Sequence, residues 1–212
     1  VIFLGGCNFR CSFCSNPELV SGYEKLETVK FEKISSYLRK NKDFIDGVVI
    51  TGGEPTIYPD FPEFCKKIKS LGFKVKIDTN GSNPEMLQDL LDKKLVEYVA
   101  MDIKTSFQKY NDIIKTETDI EKIKESIETV KDFPEYEFRT TLFPKISKQD
   151  IIEIASYLKK TGANKKFFLH QFRNDVCLDK EAESVQPYKK QEVEEIFESI
   201  KYYFEKAGIR NL

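Results

Sequence analysis

Three cysteines stand close together near the start of the chain, in the stretch CNFRCSFCSNPELV. Cys7, Cys11 and Cys14 follow the spacing C-x3-C-x2-C, in a chain of 212 residues that has only five cysteines. Linkers this short let three sulfur atoms converge while the loop wraps around them. Thiolates are soft ligands that suit both zinc and iron–sulfur clusters. The spacing therefore predicts a metal centre.

Two kinds of metal centre are compatible with this loop. A closed zinc site needs a fourth ligand. The other cysteines are Cys65, in a predicted helix, and Cys177, in a late loop, and the single histidine is His170. Three thiolates without a fourth partner suit a 4Fe–4S cluster with one iron left free for another ligand. Spacing favours the cluster, and a zinc loop completed by Cys177 or His170 stays open as the alternative.

The composition disfavours several other classes of function. The 34 basic and 35 acidic residues leave a net charge of −1, which predicts no nucleic-acid partner. Apolar stretches such as Val48–Ile50 are far too short to span a membrane, so we expect no membrane partner. Crowded cysteines in an odd total number indicate a reducing, cytoplasmic location. Val1 is not a methionine and begins inside a predicted strand, so we expect a segment to be missing before it.

Strands and helices alternate along the chain. Runs rich in Val, Ile and Phe predict six strands, at Val1–Leu4, Gly47–Thr51, Phe73–Asp78, Tyr98–Ile103, Tyr136–Leu142 and Lys166–Gln171. Charged segments of helical period predict helices from Thr28, and over Asp60–Leu71, Asn83–Lys93, Thr118–Phe133, Ser147–Lys160 and Pro187–Lys206. This alternation predicts a parallel sheet with helices outside it, in one domain over residues 1–212. The pattern alone does not separate a doubly wound sheet from a barrel.

Polar residues follow several of these strands directly. They are the segments Gly52-Gly53-Glu54-Pro55 and Asp78-Thr79-Asn80-Gly81, and the pair Asp102 and Lys104. The carboxyl ends of parallel strands share one face, where ligand sites form. The simpler interpretations are a capped turn for the Asp-Thr-Asn-Gly run and a surface ion pair for Asp102 and Lys104.

The cysteine spacing, with the aromatic Phe13 just before the last cysteine, resembles the signature of the radical S-adenosylmethionine (radical SAM) superfamily. Within it, the chain is similar to the activases of glycyl radical enzymes, and most of all to the activating proteins of anaerobic ribonucleotide reductase. The resemblance runs through CNFRCSFCSNPELV, TGGEPT, GFKVKIDTNGSNPEML, VEYVAMDIK, YEFRTTLFP and FLHQFR. It implies a six-stranded partial (β/α)6 TIM-like barrel with a lateral opening.

The resemblance also implies a cofactor set. Cys7, Cys11 and Cys14 would hold a 4Fe–4S cluster whose free iron is chelated by the amino and carboxylate groups of S-adenosylmethionine (SAM). Phe13 would lie beside these cofactors. The segment Gly52-Gly53-Glu54 would meet the SAM amino group, with the glycines permitting a close approach of backbone to ligand.

Further residues are assigned to SAM by the same resemblance. Asp78 and Asp102, with the carbonyl oxygens of Thr79 and Ala100, would bind a monovalent cation near the SAM carboxylate, which Lys104 would neutralise. The resemblance also makes Arg139 a candidate for a contact with the ribose or carboxylate of SAM, and His170 a candidate for a contact with its adenosine. One departure is Ser15, where the family usually has a histidine directly after the last cysteine.

The activity implied is the removal of a hydrogen atom from a glycine of a partner enzyme. A low-potential donor such as flavodoxin or ferredoxin would reduce the cluster, and SAM would split into methionine and a 5′-deoxyadenosyl radical. The expected partner is a glycyl radical enzyme, anaerobic ribonucleotide reductase. Three alternatives stay open: a radical SAM enzyme with a small-molecule substrate, a non-catalytic iron–sulfur carrier or sensor, and a zinc-stabilised binding module. The carrier leaves Glu54, Asp78 and Asp102 without a role.

Overall fold

Seven parallel strands form one sheet in the computed structural model, which describes residues 1–212. The strands are β1 (Ile2–Leu4), β2 (Gly47–Gly52), β3 (Lys74–Thr79), β4 (Tyr98–Asp102), β5 (Glu135–Leu142), β6 (Lys166–Gln171) and β7 (Lys206–Arg210). The helices are α1 (Pro17–Val20), α2 (Phe31–Lys40), α3 (Phe61–Ser70), α4 (Pro84–Asp92), α5 (Tyr110–Ile114), α6 (Ile120–Val130), α7 (Lys148–Lys160), α8 (Lys180–Glu183) and α9 (Lys190–Ile200). No helix combines the length and the apolar character that crossing a membrane requires.

The order of the strands in the sheet equals their order in the chain, and each strand pairs in parallel with the next. One pocket is lined both by the loop after β1 and by His170 and Asn211, which lie at the other end of the strand order. The sheet must therefore curve. β1 and β7 do not pair with each other, so the barrel stays open on one side. The predicted partial TIM-like barrel is confirmed.

The two faces of the sheet differ in polarity. On β3, Val75 and Ile77 are buried on the helix side, while Lys76 and Asp78 alternate with them and point into the barrel. The interior of a closed TIM barrel is usually filled by branched apolar side chains. Here the interior carries charged groups near the carboxyl ends of the strands, which is where the candidate site lies.

The predicted number of six strands is wrong by one, because residues 206–210 form a seventh. The helix predicted over Pro187–Lys206 ends at Ile200, and the chain tightens into a 3-10 turn before it enters β7. β7 reads KAGIR, which has little local strand preference. It forms because its backbone pairs with β6 over five residues, from Lys166 opposite Lys206 to His170 opposite Arg210.

Candidate functional site

The cysteine loop is held at both ends by backbone hydrogen bonds to distant segments. Gly6 N donates to Leu19 O at 2.7 Å, and Arg10 N donates to Ile114 O, at the end of α5, at 2.8 Å. The segment after β6 returns to the loop, where Leu178 N donates to Cys14 O at 2.9 Å. The loop is therefore a fixed part of the fold.

The three thiols of the loop line one pocket. Cys11 is buried, and Cys7 and Cys14 are half-buried. Burial raises the pKa of Cys7, and it raises the pKa of Cys11 to about 11 against the opposing charge of Lys104. Both thiols therefore hold their protons until a metal cation takes the proton's place.

The two predicted metal centres require different arrangements of the thiols. No three side chains of histidine, cysteine, aspartate or glutamate are grouped so that one metal ion could bind them all. A zinc site requires such a group, with each sulfur about 2.3 Å from the ion. A 4Fe–4S cluster takes each thiolate on a different iron, so its cysteines can lie further apart. The three thiols line one pocket, as a cluster held by three cysteines requires.

Phe13 lies in the pocket wall, as part of an aromatic stack. Its ring stacks on Phe143 with centroids 5.0 Å apart, and Phe143 meets Phe172 edge to face at 5.1 Å. Phe13 is 8% exposed. The stack joins the cysteine loop to the ends of β5 and β6.

The two glycines after β2 are required by a close approach of the cysteine loop. A Cβ on Gly52, whose φ is +121°, would lie 2.2 Å from Leu4 O, and a Cβ on Gly53 would lie 1.8 Å from Gly6 O. Gly53 N donates to Leu4 O at 2.8 Å. The glycines were predicted to let backbone approach a ligand, but the tight approach seen is to the backbone of Leu4 and Gly6.

The Glu54 side chain is turned into the protein. It is 1% exposed, and its Oε1 accepts hydrogen bonds from Thr56 N, Thr56 Oγ1 and Thr79 Oγ1, while Oε2 accepts one from Asn80 N. Burial raises the pKa of the Glu54 carboxyl, and these hydrogen bonds oppose the rise. Glu54 thus ties the loop after β2 to the loop after β3. Its predicted contact with the SAM amino group stays a prediction.

Asn80 is a residue of the site that sequence analysis left without a role. Its Nδ2 donates to Asn8 Oδ1 at 2.9 Å and lies 4.0 Å from Cys7 Sγ, and its Oδ1 accepts from Ser82 N at 2.9 Å. Asn80 therefore connects the loop after β3 to the cysteine loop. The available signal was its place in the Asp-Thr-Asn-Gly run at a strand end.

Asp102 is the centre of a charged group in the pocket. Lys104 Nζ lies 3.0 Å from its Oδ2, and Arg139 Nε donates to its Oδ1 at 2.7 Å. Burial opposes ionisation, but the positive charges of Arg139 and Lys104 outweigh it and hold the pKa of Asp102 below its usual range. Asp102 and Lys104 are therefore not the simple surface pair of the alternative interpretation.

Arg139 also reaches Asp78, and so lies between the two predicted cation ligands. Arg139 Nη1 is 3.3 Å from Asp78 Oδ1, and Lys76 Nζ is 3.4 Å from the same oxygen. Neither contact has hydrogen-bond geometry, so this buried oxygen lacks a hydrogen-bond partner. A cation bound by Asp78 and Asp102 would share them with the Arg139 guanidinium.

His170 and Gln171, at the end of β6, close the other side of the pocket. Burial, together with the charge of Arg139, lowers the pKa of His170, so the imidazole is neutral near pH 7. His170 Nε2 and Gln171 Oε1 have no hydrogen-bond partner in the chain. Gln171 was not among the predicted site residues.

All predicted site residues except Ala100 line this pocket, whose volume is about 330 Å³. That is the size of a small-ligand site. The predicted ligand has an amino group, a carboxylate, ribose hydroxyls and an adenine amine. The charged side chains of Asp102, Lys104 and Arg139 in the pocket offer matching chemistry for the amino group and the carboxylate. The residues present therefore fit both a cluster and SAM.

Comparison with known proteins agrees with this site. The family model described as the radical SAM superfamily matches residues 1–158. The chain belongs to the radical SAM superfamily. Membership implies a 4Fe–4S cluster and SAM as cofactors and makes the chain an enzyme of the radical SAM class.

Two relatives and one solved structure place this radical SAM chain further. A Methanocaldococcus jannaschii protein, provisionally named a glycyl-radical enzyme activating enzyme, is 35% identical over 100% of this chain and 88% of its own length. A 7-carboxy-7-deazaguanine synthase from Neisseria meningitidis is 31% identical over 55% of this chain and 50% of its own. The structure of Streptococcus suis SuiB bound to S-adenosylmethionine superposes with a TM-score of 0.75 at 16% identity, over 99% of this chain and 49% of SuiB. The last shows the fold alone.

Proposed function

We propose that this radical SAM chain is an activase that abstracts a hydrogen atom from a glycine of a partner glycyl radical enzyme. One observation carries the proposal: the three thiols of the cysteine loop line the same pocket as the charged pair Asp102 and Lys104. When bound, the cluster and SAM supply the reductive cleavage that yields methionine and a 5′-deoxyadenosyl group able to remove that hydrogen atom.

The residues of the chain bind and orient the two cofactors. Cys7, Cys11 and Cys14 would each bind one of the four irons of the cluster, and Lys104 would neutralise the SAM carboxylate beside Asp102. The stack that contains Phe13 keeps water away from the reacting atoms, which protects a reactive intermediate. His170, neutral at its strand end, faces the adenosine.

The length of the match to the M. jannaschii protein supports an activase over a small-molecule enzyme. That match spans the whole chain, whereas the match to the 7-carboxy-7-deazaguanine synthase spans about half of it. β1 and β7 do not pair, so the barrel is open between them, and we propose that a peptide loop of the partner enters there. We further propose anaerobic ribonucleotide reductase as the partner, and flavodoxin or ferredoxin as the electron donor.

The first test measures SAM cleavage. The protein is reconstituted anaerobically with iron and sulfide, dithionite and SAM are added, and 5′-deoxyadenosine is quantified by chromatography. We expect product from the wild type and from Cys65→Ala, which removes a buried thiol outside the pocket, and none from Cys11→Ala. Wild-type protein that holds about four irons yet yields no product contradicts the radical mechanism and favours the electron carrier.

The second test identifies the substrate class. The active protein is mixed with anaerobic ribonucleotide reductase or with pyruvate formate-lyase, and the glycyl radical is followed by electron paramagnetic resonance. We expect the signal with the reductase. A signal only with pyruvate formate-lyase would support the activase function but contradict the proposed partner. No signal with either enzyme would favour a small-molecule substrate.

A further inference from the structure

An ion pair lies inside the barrel, next to the pocket, between a buried carboxylate and an arginine whose side chain is 36% exposed. Glu137 on β5 is 2% exposed, and Arg210 on β7 meets both of its oxygens, with Nη1–Oε1 and Nη2–Oε2 distances of 2.8 Å. The Tyr98 hydroxyl donates to Oε2 at 2.9 Å. A carboxylate buried this completely is strongly unfavourable without a charged partner. The two-pronged contact with Arg210 is the geometry that compensates it best.

Arg210 is held in this position by a second contact. Its guanidinium lies 3.7 Å from the centre of the Phe168 ring on β6. Planar guanidinium groups stack well on aromatic faces. The Glu137–Arg210 pair thus ties β7 to β5 and β6 through side chains as well as through the sheet.

Glu137 also lies behind Arg139. The two residues are two positions apart on β5 and share its inner face, with Arg139 Nη1 4.0 Å from Glu137 Oε1. The shorter contacts of Arg139 go to the pocket, to Asp102 and Asp78. Arg139 therefore lies among three carboxylates, and its position depends on how strongly each one attracts it.

We propose that Arg210 is a positioning residue for the SAM pocket: by neutralising Glu137, it leaves Arg139 paired with Asp102 and Asp78. Without Arg210, the unpaired Glu137 carboxylate would draw the nearby guanidinium towards itself, since charges attract strongly away from water. Asp102 would lose its partner, and the group that holds the methionine end of SAM would be disordered. This inference rests on the proposed use of the pocket for SAM.

The test compares Arg210→Gln, Glu137→Gln and the double variant. SAM dissociation constants are measured by calorimetry on reconstituted protein, together with the Tm of each variant. Lys206→Gln, an exposed position on the same strand, is the matched control. We expect Arg210→Gln to weaken SAM binding about tenfold, and the double variant to recover most of that loss because no unpaired carboxylate remains. Lys206→Gln should bind SAM as the wild type does.

Three results would overturn the inference, the third with a replacement variant. If the pair only stabilised the barrel, Arg210→Gln would lower Tm and leave the SAM dissociation constant of the folded protein unchanged. A double variant that binds no better than Arg210→Gln would equally contradict it. Should Arg210→Gln not fold, Arg210→Lys takes its place: it keeps the charge without the two-pronged contact, so we expect intermediate affinity, and wild-type affinity would count against the proposal. If the wild-type protein bound no SAM, this would contradict the proposed function itself, not only the role of Arg210.

Discussion

Arg139 Nε lies 2.7 Å from Asp102 Oδ1, although the two residues are 37 positions apart in the chain. They meet because β4 and β5 pair in a register that sets Asp102 directly opposite Arg139. Burial disfavours the charge on Arg139, but Asp102 and Asp78 outweigh it and raise the pKa of the guanidinium, so it stays charged. The pairing of two strands thus determines the charge of the pocket wall.

Removing the charge of Arg139 should weaken SAM binding. Arg139→Gln leaves Asp102 and Asp78 facing each other with less positive charge between them, so we expect a loss of about 2 kcal/mol in SAM binding free energy. Calorimetry measures it. Lys122→Gln, which breaks an exposed ion pair with Glu85, is the control and should have no effect. If Arg139→Gln bound SAM as tightly as the wild type does, Arg139 would not contribute to SAM binding.

A methyl group on Gly53 should disrupt the cysteine loop. Gly53→Ala would press its Cβ against the Gly6 carbonyl, so we expect a loss of at least about 2 kcal/mol in stability, measured by chemical unfolding. Gly162→Ala is the control, because it meets open space and carries only the strain of its φ of +73°, about 1 kcal/mol. Equal losses in both variants would argue against a specific clash at the loop.

Asn80 should help to retain the cluster. Asn80→Ala removes the hydrogen bond to Asn8 and the neighbour of Cys7 Sγ, and outer residues of this kind commonly contribute about tenfold or more to metal affinity. We expect faster release of iron to a chelator under anaerobic conditions. Asn41→Ala loses only an exposed hydrogen bond to Tyr37 O and should release iron at the wild-type rate. Identical rates in Asn80→Ala and the wild type would contradict this role.

If a monovalent cation binds at Asp78, SAM affinity should depend on which cation the buffer contains. The predicted site uses Asp78 and Asp102, and Asp78 Oδ1 accepts no hydrogen bond within the chain. We expect SAM to bind more weakly when potassium is replaced by choline, which is too large for the pocket wall. Asp78→Asn should lose this salt dependence. If potassium and choline support equal binding in the wild type, no monovalent cation is needed and the positive charges of the protein are sufficient.

Asp150 should make stability depend on pH. Burial opposes its ionisation, but hydrogen bonds from Lys109, Ser106 and Ser147 lower the pKa of Asp150 to about 2. A lowered pKa in the folded state stabilises it above the usual value, near about pH 4, and this stabilisation is lost as pH falls towards 2. Urea unfolding should show the advantage of the wild type over Asp150→Asn shrinking across that interval. A constant difference would mean that Asp150 keeps an ordinary pKa in the folded protein.

The cysteine loop and the six predicted strands could be recognised from local patterns. Spacing alone places Cys7, Cys11 and Cys14 on one loop, because linkers of three and two residues keep their sulfur atoms close together. Runs such as Val48–Ile50 mark strands because apolar, β-branched residues suit a sheet that is buried on its outer face. Strand-end positions then place Asp78 and Asp102 at one rim, whatever their partners are.

The partners themselves depend on the tertiary structure. β7 forms only because β6 offers an edge to pair with, and its own residues carry no strong strand preference. Glu54 faces inward because four donors converge on its carboxylate, two from its own loop and two from the end of β3. Arg139 lies between Asp78 and Asp102 because the register of three strands brings these residues together. The sequence by itself determined the metal-binding loop and the order of the elements, through spacing and periodicity. Only the folded chain decided which charges meet, because those contacts join residues far apart in sequence.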